Sequence, residues 1–341
     1  MGDILHALPA VTALRRAHSF WEIGWLVEPR WRHLLTTANG TPAEPLSAAQ
    51  PLVDQLHIAS VKAWGRAPLH LRTAHEIKEL RRSIQASHYD VVLDLQGAVR
   101  SAFLGGFSRA RRRIGESTPR EWAARWLFTE RVATGGRHVI EQDVELAAAV
   151  AGDALEPVQP LLPVDPHAEA WCDRLFAPIG NQPAAFLHPG AGWGSKRWPA
   201  ERYAAVGSAL AARGFRVLVN AAPGEESLAE AIETQSNQAA MPVRCSLPQL
   251  ISITRRVSLA IGGDTGPLHL ACALGRPVVG IYGPTDPERN GPYGTRFKVL
   301  RSPFSLRNHA RLDEPEAGLL TISPQDVVQA VDEVLAPEAA R

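Results

Sequence analysis

Cysteine is scarce in this chain: Cys172, Cys245 and Cys272 are the only three among 341 residues. Their number is odd, their spacing wide, and no CxxC pair occurs. That argues against a disulfide framework or a zinc site and for reduced thiols. Long apolar runs are missing too, since none approaches the roughly 18 residues needed to span a bilayer. The opening MGDILHALPA lacks the basic segment and cleavage site of a secretory signal, so the chain reads as cytoplasmic. No GxGxxG follows a strand, which argues against a dehydrogenase, and no GxxxxGK[ST] loop occurs. No nucleic-acid motif appears and the charge is not extreme, so nucleic acid is not an expected partner.

What is present describes a folded, globular chain. Apolar residues make up 45% and charged residues 21%, the profile of a globular protein. The length suits two domains of about 150–170 residues. The net charge of +1 is unevenly spread. Residues 1–150 carry 19 Lys and Arg against 15 Asp and Glu, or +4; the remainder carries 17 against 20, or −3. Residues 55–137 hold 15 against 7, or +8, including Arg109, Arg111, Arg112 and Arg113. This stretch suits an anionic partner, an acidic glycan or a lipid head-group surface, and equally a solvated arginine-rich helix end.

Strand-like apolar runs alternate with helical patterns. Strands are expected at Val91–Leu95, Ala184–Leu187, Phe215–Val219, Ser258–Ile261 and Pro277–Tyr282. A helix is expected over Ala200–Ala212, with Pro199 at its start and Gly214 at its stop. Strand–helix–strand order implies α/β domains with parallel sheets and helices on both faces. Four prolines in Leu155–Pro166 mark an interdomain linker. The expected layout is a first domain over 1–160, a second over 161–325, and a last amphipathic helix and tail over 326–341. At the start, Gly2–Asp3 leads straight into a helix striped with Leu5, Leu8, Val11 and Leu14. Pro9 is expected to be tolerable only in that helix's first turn. The strand that normally precedes such a turn is missing. Either the chain starts downstream of its true start or the first sheet lacks a strand.

Four segments carry chemistry. Gly262-Gly263-Asp264-Thr265-Gly266-Pro267-Leu268-His269 follows a strand and opens a helix. Its glycines allow close backbone approach, and the free N–H groups of the helix start make an anion site. A tight turn with an Asp or Thr cap and no ligand is the plain alternative. His188-Pro189-Gly190-Ala191-Gly192-Trp193-Gly194-Ser195-Lys196-Arg197-Trp198-Pro199 lies between a strand and a helix and is a flexible loop in which Lys196 adds a movable charge, or else a surface loop with a solvated lysine. Ala222-Pro223-Gly224-Glu225-Glu226 puts carboxylates at a strand end, where doubly wound folds bind ribose; for Glu226, enrichment of acids at a helix start is the preferred explanation. Asp3 can serve as a general base or as a helix N-cap.

These residues resemble glycosyltransferase family 9, the lipopolysaccharide heptosyltransferases. The matching segments are GDILHALPAVTALRRA, LDLQGAVRSA, REWAARWLF, HPGAGWGSKRWPAERY and GGDTGPLHLACALGRPVVGIYGPTDP. They are spread over nearly the whole chain, and the heptosyltransferase I branch is the nearest in spacing. The resemblance implies a GT-B fold: two Rossmann-like domains, acceptor domain first and nucleotide-sugar domain second, with the active site in the cleft between them. It implies metal-independent, inverting transfer of a heptose from ADP-heptose to a Kdo-containing lipopolysaccharide core, with no cofactor beyond the ADP-sugar substrate. It further implies an anionic glycolipid acceptor and peripheral contact with the inner face of the inner membrane.

Residue by residue, the resemblance makes Asp3 the catalytic aspartate and Lys196 the lysine on the donor phosphates. It puts Glu225 at the donor ribose and Cys245 on the adenine side. Asp264, Thr265 and Gly266 match the phosphate-binding turn, His269 the histidine beside it, and Arg120 an arginine for the anionic acceptor sugar. The donor-loop hydroxyl residues of the best-known members are here Ala191 and Gly192. Two alternatives stay open: a GT-B transferase for another sugar nucleotide or acceptor, and a non-catalytic nucleotide-sugar-binding protein.

Overall fold

In the computed structural model, which describes residues 1–37, 46–308 and 312–337, the chain forms two compact units. Asp3–Pro163 makes the first and the second runs from Val164. Residues 153–165, the proline-rich stretch, carry no regular element.

Among the described residues the first unit has five strands, all in parallel pairs. β1 (Gly24–Val27) pairs with β2 (Gln55–Ile58), while β3 (Val91–Asp94), β4 (Arg112–Glu116) and β5 (Glu130–Val132) form a separate sheet in that order. The two sheets are joined by side chains instead of a ladder: Tyr89, just ahead of β3, lies 2.7 Å from Nε2 of His57 on β2. Among the described residues the first element is the helix Gly2–Ala17. Its Ala10 and Leu14 pack on Val144 and Ala147 of the helix Val139–Ala151.

Pro9 overturns one expectation, because it lies well inside the helix Gly2–Ala17 and not in its first turn. The missing N–H leaves the Leu5 carbonyl without its helical partner, at a cost of about 3 kcal/mol. Leu5, Leu8, Ala10, Val11, Ala13 and Leu14 are all buried. Each large buried aliphatic side chain contributes about 1.5–3 kcal/mol, so tertiary burial outweighs the local penalty.

The second unit has one six-stranded parallel sheet in the order β11-β10-β9-β6-β7-β8. Its strands are β6 (Ala184–His188), β7 (Arg216–Asn220), β8 (Ala240–Val243), β9 (Leu259–Gly263), β10 (Val278–Tyr282) and β11 (Phe297–Arg301). β6, β9 and β10 are buried along their full length, as strands covered on both faces must be. The helix Ala200–Ala212 has the bounds its sequence implies, with Gly214 beyond it in the left-handed region. The last helix, Pro324–Leu335, belongs to this unit, since Val327, Ala330, Val331 and Val334 join the core formed by Leu187, Val219 and Ile261.

Ser323 starts that last helix by accepting from the Asp326 N–H, and Asp326 returns a bond to the Ser323 N–H. Ser323→Ala is expected to destabilise the second unit by about 1 kcal/mol in urea unfolding; an unchanged midpoint refutes the contribution of the cap.

Candidate functional site

The strand order of the second unit decides where a ligand can sit. β7 and β8 extend to one side of β6, and β9, β10 and β11 to the other. Loops leaving the carboxyl ends of β6 and β9 therefore diverge and open a crevice at the switch point. The segment after β9 is Asp264-Thr265 and the segment after β6 contains Lys196, so the fold carries them to opposite sides of that crevice.

There they meet. Lys196 Nζ lies 2.5 Å from Asp264 Oδ2, and His269 Nε2 lies 2.9 Å from Asp264 Oδ1. The lysine and aspartate side chains are about a tenth exposed. Burial by itself raises the Asp264 pKa, but the hydrogen bond and charge of His269 and the charge of Lys196 hold it well below the usual carboxylate range. Trp193 presents its ring 4.4 Å from Lys196 Nζ, a cation–π contact on another side.

Lys196 ends a tight turn, Gly194–Lys196, whose position depends on a distant segment. Ser195 N–H donates to the Leu312 carbonyl and Glu316 N–H donates to the Ser195 carbonyl. A Cβ on Gly194 would lie 1.6 Å from the Asp313 carbonyl oxygen. Only glycine lets the two backbones approach this closely.

Thr265 occupies the N-cap position of the helix Gly266–Ala273, but its hydroxyl caps nothing. Its Oγ1 is buried with no hydrogen-bond partner. The plain capping alternative therefore does not describe this threonine. A buried, unsatisfied hydroxyl beside free N–H groups at a helix start is an arrangement that an anion completes.

The neighbouring loops continue the row. Ala191 is buried and Gly192 exposed. The Ala191 backbone donates to the Glu225 carboxylate, whose pKa is raised by burial and lowered in part by Arg197. Gly190 leaves room for this carboxylate, since a Cβ there would fall 1.8 Å from Glu225 Oε2 and displace the side chain. Glu226, by contrast, accepts from the Gly224 N–H and serves its own helix start. Cys245, beyond β8, has its Sγ 3.9 Å from Asn220 Oδ1, and burial pushes its pKa up to about 12, so it is a neutral thiol. Among the described residues, no group of three or more His, Cys, Asp or Glu is disposed to hold a metal ion.

In the first unit, Asp3 is the second residue of its helix and Met1 holds the N-cap position, so Asp3 is not the cap. Arg120 Nη1 lies 3.8 Å from Asp3 Oδ2, with both side chains about two-thirds exposed. An exposed pair at this separation contributes little to stability. It does set a solvent-accessible carboxylate beside a guanidinium.

The sequence does not point to Arg197, to the backing of Lys196 by Trp193, or to the Leu312–Glu316 segment that fixes the Gly194 turn. The last of these depends on a contact across more than a hundred residues and leaves no local signal. Nor does it reveal that both ring nitrogens of His188 are buried without a partner, or that burial pushes its pKa down to about 3.

Two outcomes follow. Lys196→Met strands the Asp264 charge and is expected to cost about 3 kcal/mol of stability in urea unfolding; a change near zero refutes the coupling. His188 stays neutral in the fold and protonates on unfolding below pH 6.5. Its contribution is complete above that pH and is lost as pH falls from 6.5 towards 3, by at most about 1.4 kcal/mol per pH unit. His188→Leu should flatten this stretch of the stability–pH curve, and an unaltered slope rules the assignment out.

Comparison with known proteins identifies the family. The sequence profile described as glycosyltransferase family 9 (heptosyltransferase) matches residues 77–317. The chain is 28% identical over 324 residues to lipopolysaccharide heptosyltransferase 1 of Escherichia coli strain K12, covering 92% of this chain and 96% of that one. It is 25% identical over 308 residues to lipopolysaccharide heptosyltransferase 1 of Pseudomonas aeruginosa, covering 89% and 82%. Among solved structures, the E. coli heptosyltransferase WaaC with ADP-2-deoxy-2-fluoro heptose superposes with a TM-score of 0.75 at 26% identity, covering 98% of this chain and 96% of that one. The chain belongs to glycosyltransferase family 9, the heptosyltransferases, and is a glycosyltransferase of the GT-B fold with two Rossmann-like units.

Proposed function

We propose that this enzyme transfers a heptose from ADP-heptose to a Kdo-containing lipopolysaccharide core acceptor, by one inverting displacement that needs no metal ion. The observation that carries the reading is the meeting of Lys196, Asp264, His269 and the unsatisfied Thr265 hydroxyl at the switch point of the second unit. Relatives named lipopolysaccharide heptosyltransferase 1, and a WaaC structure holding an ADP-heptose analogue, support the choice of substrates.

The chemistry follows from the residues. In the second unit, the Lys196 ammonium, the Thr265 hydroxyl and the N–H groups that start the Gly266 helix bind the donor diphosphate. His269 and Asp264 orient the lysine. Glu225 accepts from the ribose, Ala191 and Gly192 border the sugar, and Cys245 offers an uncharged surface to the adenine. In the first unit, Arg120 binds the anionic acceptor sugar and the Asp3 carboxylate takes the proton of its hydroxyl. As that oxygen bonds to the anomeric carbon, the bond from this carbon to the β-phosphate oxygen breaks, and the electron pair leaves with ADP. The negative charge that builds on the phosphate meets Lys196 and the helix start, the electrostatic role a metal ion plays elsewhere. A single in-line attack inverts the anomeric centre. The lipid-linked acceptor puts the enzyme to work at the inner face of the inner membrane.

Removing a general base costs about 10²–10⁴-fold in rate. Asp3→Ala is therefore expected to lose at least about a hundredfold in turnover while ADP still binds by calorimetry; undiminished turnover refutes the role. ADP release from ADP-heptose should require a Kdo–lipid A acceptor and should proceed undiminished in a chelator. Release with another sugar nucleotide but not with ADP-heptose would replace the donor assignment. ADP binding without turnover on any acceptor would favour a binding protein.

A further inference from the structure

The first unit holds a cavity of about 400 Å³ that the transfer reaction does not use. Arg81, Arg109 and Arg113 line it together with Phe103, Phe107 and Leu127, and none of its lining residues is acidic. Among the described residues the three guanidinium groups meet no carboxylate. The nearby acids are spent elsewhere: Glu79 pairs with Arg82 and Glu130 with Arg112. Arg113 donates from Nε to the Leu127 carbonyl and from Nη1 to the Ala110 carbonyl, which fixes its charge at the cavity wall. Arg109 sits in the left-handed region, with φ 59° and ψ 17°. That conformation strains any residue with a Cβ. An exposed arginine held there is the costly choice where glycine would fit freely.

The apolar part is equally specific. Phe103 and Phe107 pack edge to face, 5.5 Å apart, and Phe103 is more than half exposed. The turn Trp122–Leu127, which supplies Leu127 to the cavity, leaves Trp122 and Trp126 exposed. Arg125 lies 5.6 Å from both indoles, and Arg131 lies 5.4 Å from that of Trp126. Tryptophan and arginine side by side on a surface suit the head-group level of a bilayer, where one end of each group is wet and the other apolar.

We propose that this cavity docks an anionic membrane phospholipid, with its phosphate on Arg81, Arg109 and Arg113 and the start of its acyl chain on Phe103, Phe107 and Leu127. The proposal deepens the reading of the acceptor as lipid-linked and rests on it for its purpose. A free phosphate could satisfy the guanidiniums but would leave the phenylalanine floor uncovered. A lipid occupies both.

The experiment is co-sedimentation of the whole chain with phosphatidylcholine vesicles that do or do not contain phosphatidylglycerol, without donor or acceptor. Binding should require phosphatidylglycerol and weaken about fivefold for each guanidinium removed in Arg81→Gln and Arg109→Gly. Arg109→Gly also relieves the left-handed strain, so it should not unfold the unit. Phe103→Ser should weaken binding, and inorganic phosphate should compete poorly. Turnover on a soluble, delipidated acceptor should be unchanged in these variants, so a failure of the transferase reading shows there and not in the vesicles. Equal binding by wild type and Arg81→Gln/Arg109→Gly overturns the proposal. Equal binding to both vesicle types, or full displacement by inorganic phosphate, also overturns it.

Discussion

The contact on which the rest depends is the buried ion pair between Lys196 and Asp264, with His269 on the second carboxylate oxygen. It joins the carboxyl ends of β6 and β9, the two strands between which the sheet changes direction. Taking a lysine and an aspartate out of water is costly, and the cost is offset only when geometry and further hydrogen bonds are good. Here the Trp193 ring backs the lysine and His269 completes the aspartate. The pair thus holds a positive charge beside the Gly266 helix start, where the Thr265 hydroxyl has no protein partner. On the proposed reading, the donor diphosphate is what completes this site.

Much of the surrounding architecture serves that arrangement. The Leu312–Glu316 segment grips the Gly194 turn by its backbone, and the absent Cβ at Gly194 is what allows it. Gly190 leaves room for the Glu225 carboxylate on the next loop. These glycines are permissive in space more than in dihedral angle, since neither has positive φ. The first unit works with a different balance. Its Asp3–Arg120 pair is exposed and adds little stability, which leaves both groups accessible to a substrate. Its arginine-rich stretch separates in the fold: Arg112 is neutralised by Glu130, while Arg109 and Arg113 turn to the cavity beside the phenylalanines. Charge counting along the chain could not divide them, because Glu130 is eighteen residues from Arg112 in sequence and adjacent to it only across the β4–β5 ladder.

Local signals were legible wherever the cause is local. Alternating strands and helices, the helix Ala200–Ala212 and the glycine-bearing strand ends follow from periodicity, proline and glycine, which act within a few residues. Pro9 departs from its local rule for the same reason: proline's penalty is local, whereas the burial that overrides it comes from Val144 and Ala147, far along the chain. In the sequence Asp3 is open to a cap or a base reading, and the placement of Met1 as N-cap removes the first. The Thr265 hydroxyl could have capped its own helix, and its freedom depends on a side-chain direction that spacing does not encode.

By itself, then, the sequence determined the α/β class, the strand-end positions of Lys196, Glu225 and Asp264, and the family to which they belong, because turn chemistry and hydrophobic period are short-range properties. The tertiary structure alone decided that Lys196 closes on Asp264, that the residue 312–316 segment sets the lysine's turn, and that three arginines share a cavity with two phenylalanines. Each of these is a contact between segments brought together by strand order, and strand order is settled by burial of the whole sheet and by no single stretch of chain.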